Sequence, residues 1–450
     1  SPDNVGIEWI STTVDSPWQS RSVSVNPQNA DSVFIEIDLN SEQQVIDGFG
    51  ACFNELGWQA LTSLPQSEQN RVIAELFDPR EGCGFNICRM PIGANDYAVD
   101  WYSHNETPGD FAMQTFSIKR DKSRLIPYIK KAMQYNPDLI IWASPWCPPA
   151  WMKVNNHYAC QSDSINGLDP ASAGEEMQDQ FIMQERYLAA YALYFSKFIQ
   201  AYADQGITIS AVQNQNEPNS CQIFPSCIWT PESMARFIGE YLGPQFAKDS
   251  LETDIWLGTI ERPQIERIDP ILQDSSAAQY IKGVGFQWGG KGAIPRVHEK
   301  YPHYKLMQTE SECGDGSKDW HAAEHTFDLL QHYFENGANS YMYWNMILDE
   351  TGLSTWGWKQ NSLISIHSDT KKVTYHPEFY LMKHLSAFVK PGAFKLLTPD
   401  ENSLVFKTAK SVIIVYHQPG QTAVKTFKVG DKTFTCHIKG DSFNTFRVML

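Results

Sequence analysis

Two acidic residues, far apart in the chain, have the surroundings that bond-breaking chemistry needs. Glu217 closes the stretch "AVQNQNEP" (211–218), behind four consecutive amides and ahead of a proline, and Glu310 closes "LMQTE" (306–310). Both apolar runs read as strands, and both acids stand at strand ends. Hydrolysis of a glycosidic bond needs one carboxyl group that is protonated, to assist the leaving oxygen, and one that is ionised, to attack or to activate water. Environment sets which is which. A single strand-end Glu reads most simply as a solvated or ion-paired acid. Two of them, one inside Asn-Glu-Pro, read together as a reaction centre. Glu312, two residues beyond Glu310, is the competing acid on the same strand. Other chemistries are poorly served. No His, Cys or Asp cluster has metal-binding spacing, so neither a metal nor another cofactor is expected. No G-x-S-x-G serine motif is present. The histidines of "WHAAEH" (320–325) read as surface residues.

Eight strand-like runs supply the positioning elements: 45–51, 84–92, 138–146, 209–217, 254–262, 282–290, 304–312 and 339–347. Amphipathic helical stretches lie between most of them, for example 122–134, 178–205, 231–246 and 319–335. The third of these begins Thr230-Pro231-Glu232, an N-cap threonine followed by proline at the first helical position. Alternating strands and helices argue for a parallel α/β fold, and eight strands close a (β/α)8 barrel. The rival is an open doubly wound sheet. It would show a three-glycine phosphate loop after the first strand, and "DGFGACFNE" lacks the third glycine. In a barrel, reactive groups gather at the C-terminal ends of the strands. Those ends carry Arg89 and Asp96, Ser144-Pro145-Trp146, Asn216-Glu217, Gln287-Trp288, Glu310 to Glu312, and Trp344-Asn345.

The flanks read differently. Residues 5–13, 22–25 and 32–39 alternate as strands, and six short strands with turn residues follow a helix near 377–388. Together the two ends predict an antiparallel β-sandwich, because N-terminal strands alone would leave unpaired edges. The expected division is 1–44 and 389–450 for the sandwich and 45–388 for the barrel.

Bulk properties narrow the partners. A net charge of −16 over 450 residues excludes a sequence-independent grip on nucleic acid and disfavours polyanionic substrates or anionic membrane surfaces. A neutral ligand fits best. Fourteen Trp serve either as core filler or as platforms for sugar rings. No apolar run is long enough to span a bilayer. The chain starts at Ser1 without a signal-peptide pattern, which reads as a processed or trimmed chain. Of nine Cys, Cys147 with Cys160 and Cys221 with Cys227 are close enough in sequence to pair, whereas Cys52, Cys83 and Cys88 read as buried thiols. Export to the periplasm, cell surface or medium is therefore expected. The sequon Asn105-Glu106-Thr107 matters only in a eukaryotic secretory pathway.

The order of motifs carries a resemblance. "VIDGFGACFNE", "GFNICRMPIGANDY", "ASPWCPPAWMK", "AVQNQNEP", "LMQTESECG", "WGWKQNSLISI" and "YHPEFYLMKHLSAFVKPGA" resemble glycoside hydrolase family 30, in particular its glucosylceramidase branch, from about residue 40 to 395. The resemblance implies a (β/α)8 barrel with an attached β-sandwich and a retaining, double-displacement mechanism. It implies that Glu217 is the general acid/base, Glu310 the nucleophile, and Asn216 the residue that holds the sugar 2-hydroxyl. Arg89 would sit beneath the nucleophile and keep it ionised. Asp96, Trp146, Trp344 and Asn361 would bind the sugar, with Trp288 a further substrate contact. Two positions depart from the branch. Gln287-Trp288-Gly289 stands where glucosylceramidases carry His-Trp-Tyr, and Phe224 where they carry Tyr. Both affect the leaving-group side, so ceramide is not implied and a place in sphingolipid metabolism rests on the branch name alone. A β-glucoside, including a β-1,6-linked one, leads. β-Xyloside, β-fucoside and β-galactoside cleavage, and an inactive carbohydrate-binding relative, are the alternatives. The sequence is silent on oligomeric state.

Overall fold

All eight anticipated strands form and close. In the computed structural model, which describes residues 6–25 and 34–450, the barrel strands are β1 (Gly48–Cys52), β2 (Ile87–Ile92), β3 (Ile140–Pro145), β4 (Ile209–Gln213), β5 (Asp254–Ile260), β6 (Ile281–Gln287), β7 (Lys305–Glu310) and β8 (Ser340–Asn345). They pair in parallel around a closed ring, with β8 returning to β1. Most strand residues are buried on both faces, as a barrel wrapped by helices requires. The runs are Ile-, Met- and aromatic-rich, and they satisfy that double burial.

The barrel interior is where the amides of "QNQN" begin to be explained. Gln213 points inward, and a Cβ on Gly258 or Gly285 would lie 1.9 or 2.0 Å from its Oε1. Two neighbouring strands thus carry glycine where the glutamine fills the bore. Asn214 accepts a hydrogen bond from the Gly258 amide at 3.2 Å, and Gln215 donates to the Trp146 carbonyl at 2.7 Å. These amides pin the segment beyond β4 to its neighbours on both sides, which fixes where Asn216 and Glu217 emerge.

The helices follow the expected periodicity with shifted ends. The long amphipathic one covers Glu185–Asp204, and that of 319–335 runs Trp320–Glu335 with Asp319 capping the Ala322 amide. Thr230 caps the Ser233 amide as anticipated, but the helix it opens is not uniform. α-Helical Pro231–Arg236 passes into a wider π-turn segment, Phe237–Leu242, before Gly243–Lys248. Gly243-Pro244 explains the adjustment, because proline lacks the amide that a regular helix would use.

The chain ends build two sheets. One has the order Phe394–Lys395, Ser403–Lys407, Ser411–Gln418, Ser442–Met449, Ile7–Thr12, Gln19–Arg21. The other has the order Ser24–Val25, Lys432–Ile438, Ala423–Val429, Phe34–Ile37. Between them lies a separate apolar core that includes Trp9, Ile35, Ile414, Phe427, Phe434 and Phe446. The expected antiparallel pattern holds except where Ala423–Val429 runs parallel to Phe34–Ile37. The strand Gln19–Arg21 was not foreseen, and residues 5, 32 and 33 of the anticipated strands lie outside the described residues. Sandwich and barrel are joined through Trp320, stacked on Phe443 at 4.6 Å, and through His384, whose ring nitrogens meet Thr12 and Thr445 at 2.8 Å each.

The cysteine pairing differs from the sequence expectation. Cys160 bonds to Cys221 across 61 residues, while Cys147 and Cys227 are buried free thiols. Proximity in sequence misleads here because the loops after β3 and β4 lie side by side at the barrel mouth. Cys52, Cys83 and Cys88 are buried thiols as read. Asn105 of the sequon is buried, with its side-chain amide donating to Asp110 at 2.9 Å, so the folded chain does not present it for glycosylation. Among the described residues, no helix is long and apolar enough to cross a membrane.

Candidate active site

A cavity of about 370 Å³ opens at the C-terminal ends of the barrel strands, and Glu217, Glu310, Asp96, Trp146, Trp288 and Trp358 are in its wall. Glu310 is the last residue of β7. Glu217 lies four residues beyond β4, in a left-handed backbone conformation with φ of 48°. Trp288, at the end of β6, has the same φ of 48°. Non-glycine residues adopt this region at an energetic cost, and such costs concentrate where a side chain must be aimed.

Arg89, on β2 and wholly buried, organises the floor. Its guanidinium donates to Glu310 Oε1 at 3.2 Å, to Gln287 Oε1 at 3.2 Å, to the Thr309 carbonyl at 3.1 Å, to Ser144 Oγ at 3.0 Å and to Asn216 Oδ1 at 2.8 Å. It packs against three indoles, Trp146 closest at 4.4 Å, then Trp142 and Trp344. A guanidinium taken from water without such partners would be very costly. Glu310 receives a second hydrogen bond, 3.1 Å from the Trp288 indole N–H to Oε2.

Glu217 is held quite differently. Ser220 Oγ lies 3.2 Å from its Oε1, and the Asn216 amide reaches Oε2 only at 3.5 Å. Among the described residues no cation pairs with it. Burial pushes the Glu217 carboxyl up to about 8, reinforced by the charges of Glu310 and Glu261. Burial also lifts Glu310, to about 7, against the opposing pull of Arg89 and the Trp288 hydrogen bond. Both therefore hold protons more tightly than free carboxylates, and Arg89 with the Trp288 N–H favours the ionised form at Glu310.

Asp96 is buried nearby and pushed up to about 7 by its desolvation, with the Glu217 charge adding to it. Its Oδ1 faces no hydrogen-bond partner. A buried polar atom left open in a cavity wall is a position for a ligand hydroxyl. Trp344 stands behind Trp146, ring centroids 5.6 Å apart, and donates to Gln360 at 2.8 Å. It backs the wall rather than forming it.

One sequence reading changes, and one open choice closes in favour of Glu310, on contact with the geometry. Asn361 does not reach the cavity: its side-chain oxygen accepts from the amides of Gly316 and Lys318 at 3.0 and 3.2 Å, and its neighbour Gln360 is in the wall instead. The register past Trp358 decided which amide faced inward, and no spacing rule covers an irregular loop. Glu312 also turns away, pairing with Lys291 at 2.6 Å and His325 at 3.2 Å. Strand alternation does not apply to it because β7 ends at Glu310. Missed altogether were Ser220 and, behind it, Glu261 at the end of the β5 run. Glu261 carried the same signal as Glu217, an acid closing a barrel strand. The pair Arg262–Glu176, bonded at 2.5 Å, closes one side of the mouth.

A closed eight-stranded barrel with buried carboxyl groups and tryptophans at its mouth is the architecture of a glycoside hydrolase. Residues 46–389 match the glycosyl hydrolase family 30 TIM-barrel domain, and the chain belongs to that family. A Caenorhabditis elegans glucosylceramidase homologue is 30% identical over 393 residues, covering 81% of this chain and 71% of its own. The endo-1,6-β-D-glucanase neg1 of Aspergillus fumigatus is 26% identical over 388 residues, 82% of this chain and 76% of its own. The structure of the endo-β1,6-glucanase BT3312 superimposes with a TM-score of 0.83 at 23% identity, covering 99% of each chain, a likeness of fold.

Proposed function

We propose that this chain cleaves β-D-glucosidic bonds with retention of configuration, by double displacement between Glu310 and Glu217. One observation carries the assignment of roles: Arg89 and Trp288 both serve Glu310, whereas Glu217 has no cation and two weaker hydrogen bonds. The better-solvated carboxylate is the nucleophile and the more isolated carboxyl is the acid. Glu310 attacks the anomeric carbon as Glu217 gives its proton to the departing oxygen. The glycosidic C–O bond breaks and a glucosyl ester on Glu310 forms. With the Glu310 charge consumed, Glu217 loses its main like-charge neighbour, ionises, and takes a proton from the water that opens the ester.

The remaining contacts follow from the wall. The open oxygen of Asp96 takes sugar hydroxyls, Trp146 lies under the ring with Trp344 behind it, and Trp288 sits at the leaving-group side. The side-chain oxygen of Asn216 is already engaged by Arg89, Thr259 and Gln287, so its amide N–H₂ is the group left for the 2-hydroxyl. Gln360 takes the place anticipated for Asn361. The same reading divides the described chain into a catalytic unit, 45–388, and a sandwich built from 6–25, 34–44 and 389–450. The mouth is polar and aromatic, with Arg262, Glu176, Gln222 and Phe224, which favours a sugar as leaving group, as in a β-1,6-glucan, over ceramide. The disulfide supports export to an oxidising compartment.

Glu310→Ala is expected to abolish hydrolysis of an aryl β-glucoside, with azide restoring turnover and giving the α-glycosyl azide. Full activity in that variant would overturn the nucleophile assignment. Glu217→Gln is expected to lose far more rate on poor leaving groups than on dinitrophenyl ones, and equal losses would remove its acid role. Gentio-oligosaccharides, nitrophenyl β-xyloside, β-fucoside and β-galactoside, and micellar glucosylceramide, compared by kcat/KM, decide the substrate; preference for glucosylceramide would place the chain in sphingolipid metabolism.

A further inference from the structure

A third acid stands directly behind Glu217. Glu261, one residue past β5, is 2% exposed. Its Oε2 accepts from the Asn219 amide at 3.0 Å and from Ser220 Oγ at 2.8 Å, and its Oε1 is buried without a partner. The same Ser220 oxygen is 3.2 Å from Glu217 Oε1. One hydroxyl therefore bridges two buried carboxyl groups, and it has a single proton to give. Donating to Glu261, it turns only a lone pair toward Glu217. That arrangement accommodates a Glu217 carboxyl bearing its proton and opposes a bare carboxylate.

We infer that Glu261 is a positioning residue that acts on Glu217 through Ser220, engaging the serine proton and keeping Glu217 in its acid form until a leaving group arrives. The inference rests on the acid/base role proposed for Glu217. The charged groups around the pair are few. Glu217 is faced by Glu310 from β7, Arg89 from β2 and Asp96 from the loop after β2; Glu261 is faced by Arg262 and Arg267 from the segment after β5. The two arginines favour a charged Glu261, and Arg262 is itself shared with Glu176. Burial raises the Glu261 carboxyl above the usual carboxylate range, against the opposing pull of the Ser220 and Asn219 hydrogen bonds and of Arg262. Unlike the charge of Glu310, that of Glu261 persists when the glycosyl ester forms, so it also strengthens Glu217 as a base in the second step.

Two substitutions test the bridge. Glu261→Gln removes the charge and frees the Ser220 proton for Glu217, so the basic limb of kcat/KM moves down by about one pH unit, the scale of one charge roughly 6 Å away at a partly screened site. Ser220→Ala removes the bridge, and with it the lone pair that accepts from protonated Glu217 and opposes its anion, so it moves the same limb down while leaving Glu261 in place. Both are read on an aryl β-glucoside with a poor leaving group, with a dinitrophenyl glucoside as the control whose rate needs no acid. A generally loosened site would depress the control as well, and a Ser220→Ala limb that moves up would show that the serine gives its proton to Glu217 and overturn the inference. If Glu261→Gln leaves the basic limb in place while Glu217→Gln shows its leaving-group dependence, Glu261 has no such role and the acid assignment stands. If Glu217→Gln shows none, the underlying reading falls first.

Discussion

Replacing Arg89 tests the electrostatics of the floor most severely. In Arg89→Met the chain keeps a side chain of similar reach but loses the charge and five donated hydrogen bonds. Glu310, itself buried, is left with Trp288 alone. Removing one partner of a buried ion pair costs about 3–5 kcal/mol. At roughly 1.4 kcal/mol per pKa unit, even half of that falling on ionised Glu310 raises its carboxyl by one to two units. The acid limb of kcat/KM should therefore move to higher pH by that amount, with activity at pH 6 falling about 10- to 100-fold. Because Glu217 already sets the basic limb near 8, the two limbs would meet and the maximum would fall as well. The assay is a pH profile on an aryl β-glucoside beside a thermal melt. Arg89→Lys, which keeps the charge but not the fork, should lie between. An Arg89→Met enzyme with an unmoved acid limb would show that Arg89 does not hold Glu310 ionised, and with it the assignment of roles would lose its support.

Three further outcomes follow from the same geometry. Glu217 rises on folding from an ordinary 4.5 to about 8, so the folded state binds more protons than the unfolded one across that window and stability falls as pH rises through it; Glu217→Gln should flatten this slope and add on the order of 1–2 kcal/mol of stability at pH 8, seen as a higher Tm there, with little change at pH 4. Replacing Cys160 and Cys221 by alanine releases a 61-residue tether and should cost about 4 kcal/mol by the chain-entropy argument, visible as a lower denaturation midpoint that reductant no longer shifts. Gly285→Ala puts a methyl group 2.0 Å from the Gln213 side-chain oxygen and should destabilise the barrel by about 1–3 kcal/mol, measured by denaturant unfolding, with Gln213→Ala partly relieving it.

The strands were legible because each carries a dense apolar run between polar loops, and that alone fixes the ring and hence the mouth. Glu217 and Glu310 were legible because they close such runs. Glu261 closes one too, but its neighbours in sequence are an arginine and a proline rather than amides, and its meaning comes from Ser220, which reaches it from another loop. The same limit explains the cysteines: pairing depends on which loops meet above the barrel, and Cys160 meets Cys221 because the segments after β3 and β4 run together. Gln360 and Asn361 differ by one residue in a loop with no periodicity, where only coordinates decide which amide faces the ligand. The break in the helix after Thr230 was hidden because the apolar pattern continues through Gly243-Pro244 while the hydrogen bonding changes beneath it.

The strand Ile7–Thr12 lies against Ser442–Met449, so segments more than four hundred residues apart in the chain are immediate neighbours. Until the later segment is made, Ile7–Thr12 has only Gln19–Arg21 beside it and its other edge is open, while the barrel can assemble in the interval. A polypeptide that stops before Ser442 would carry the barrel beside a half-built sheet with two open edges, prone to associate with others in the same condition.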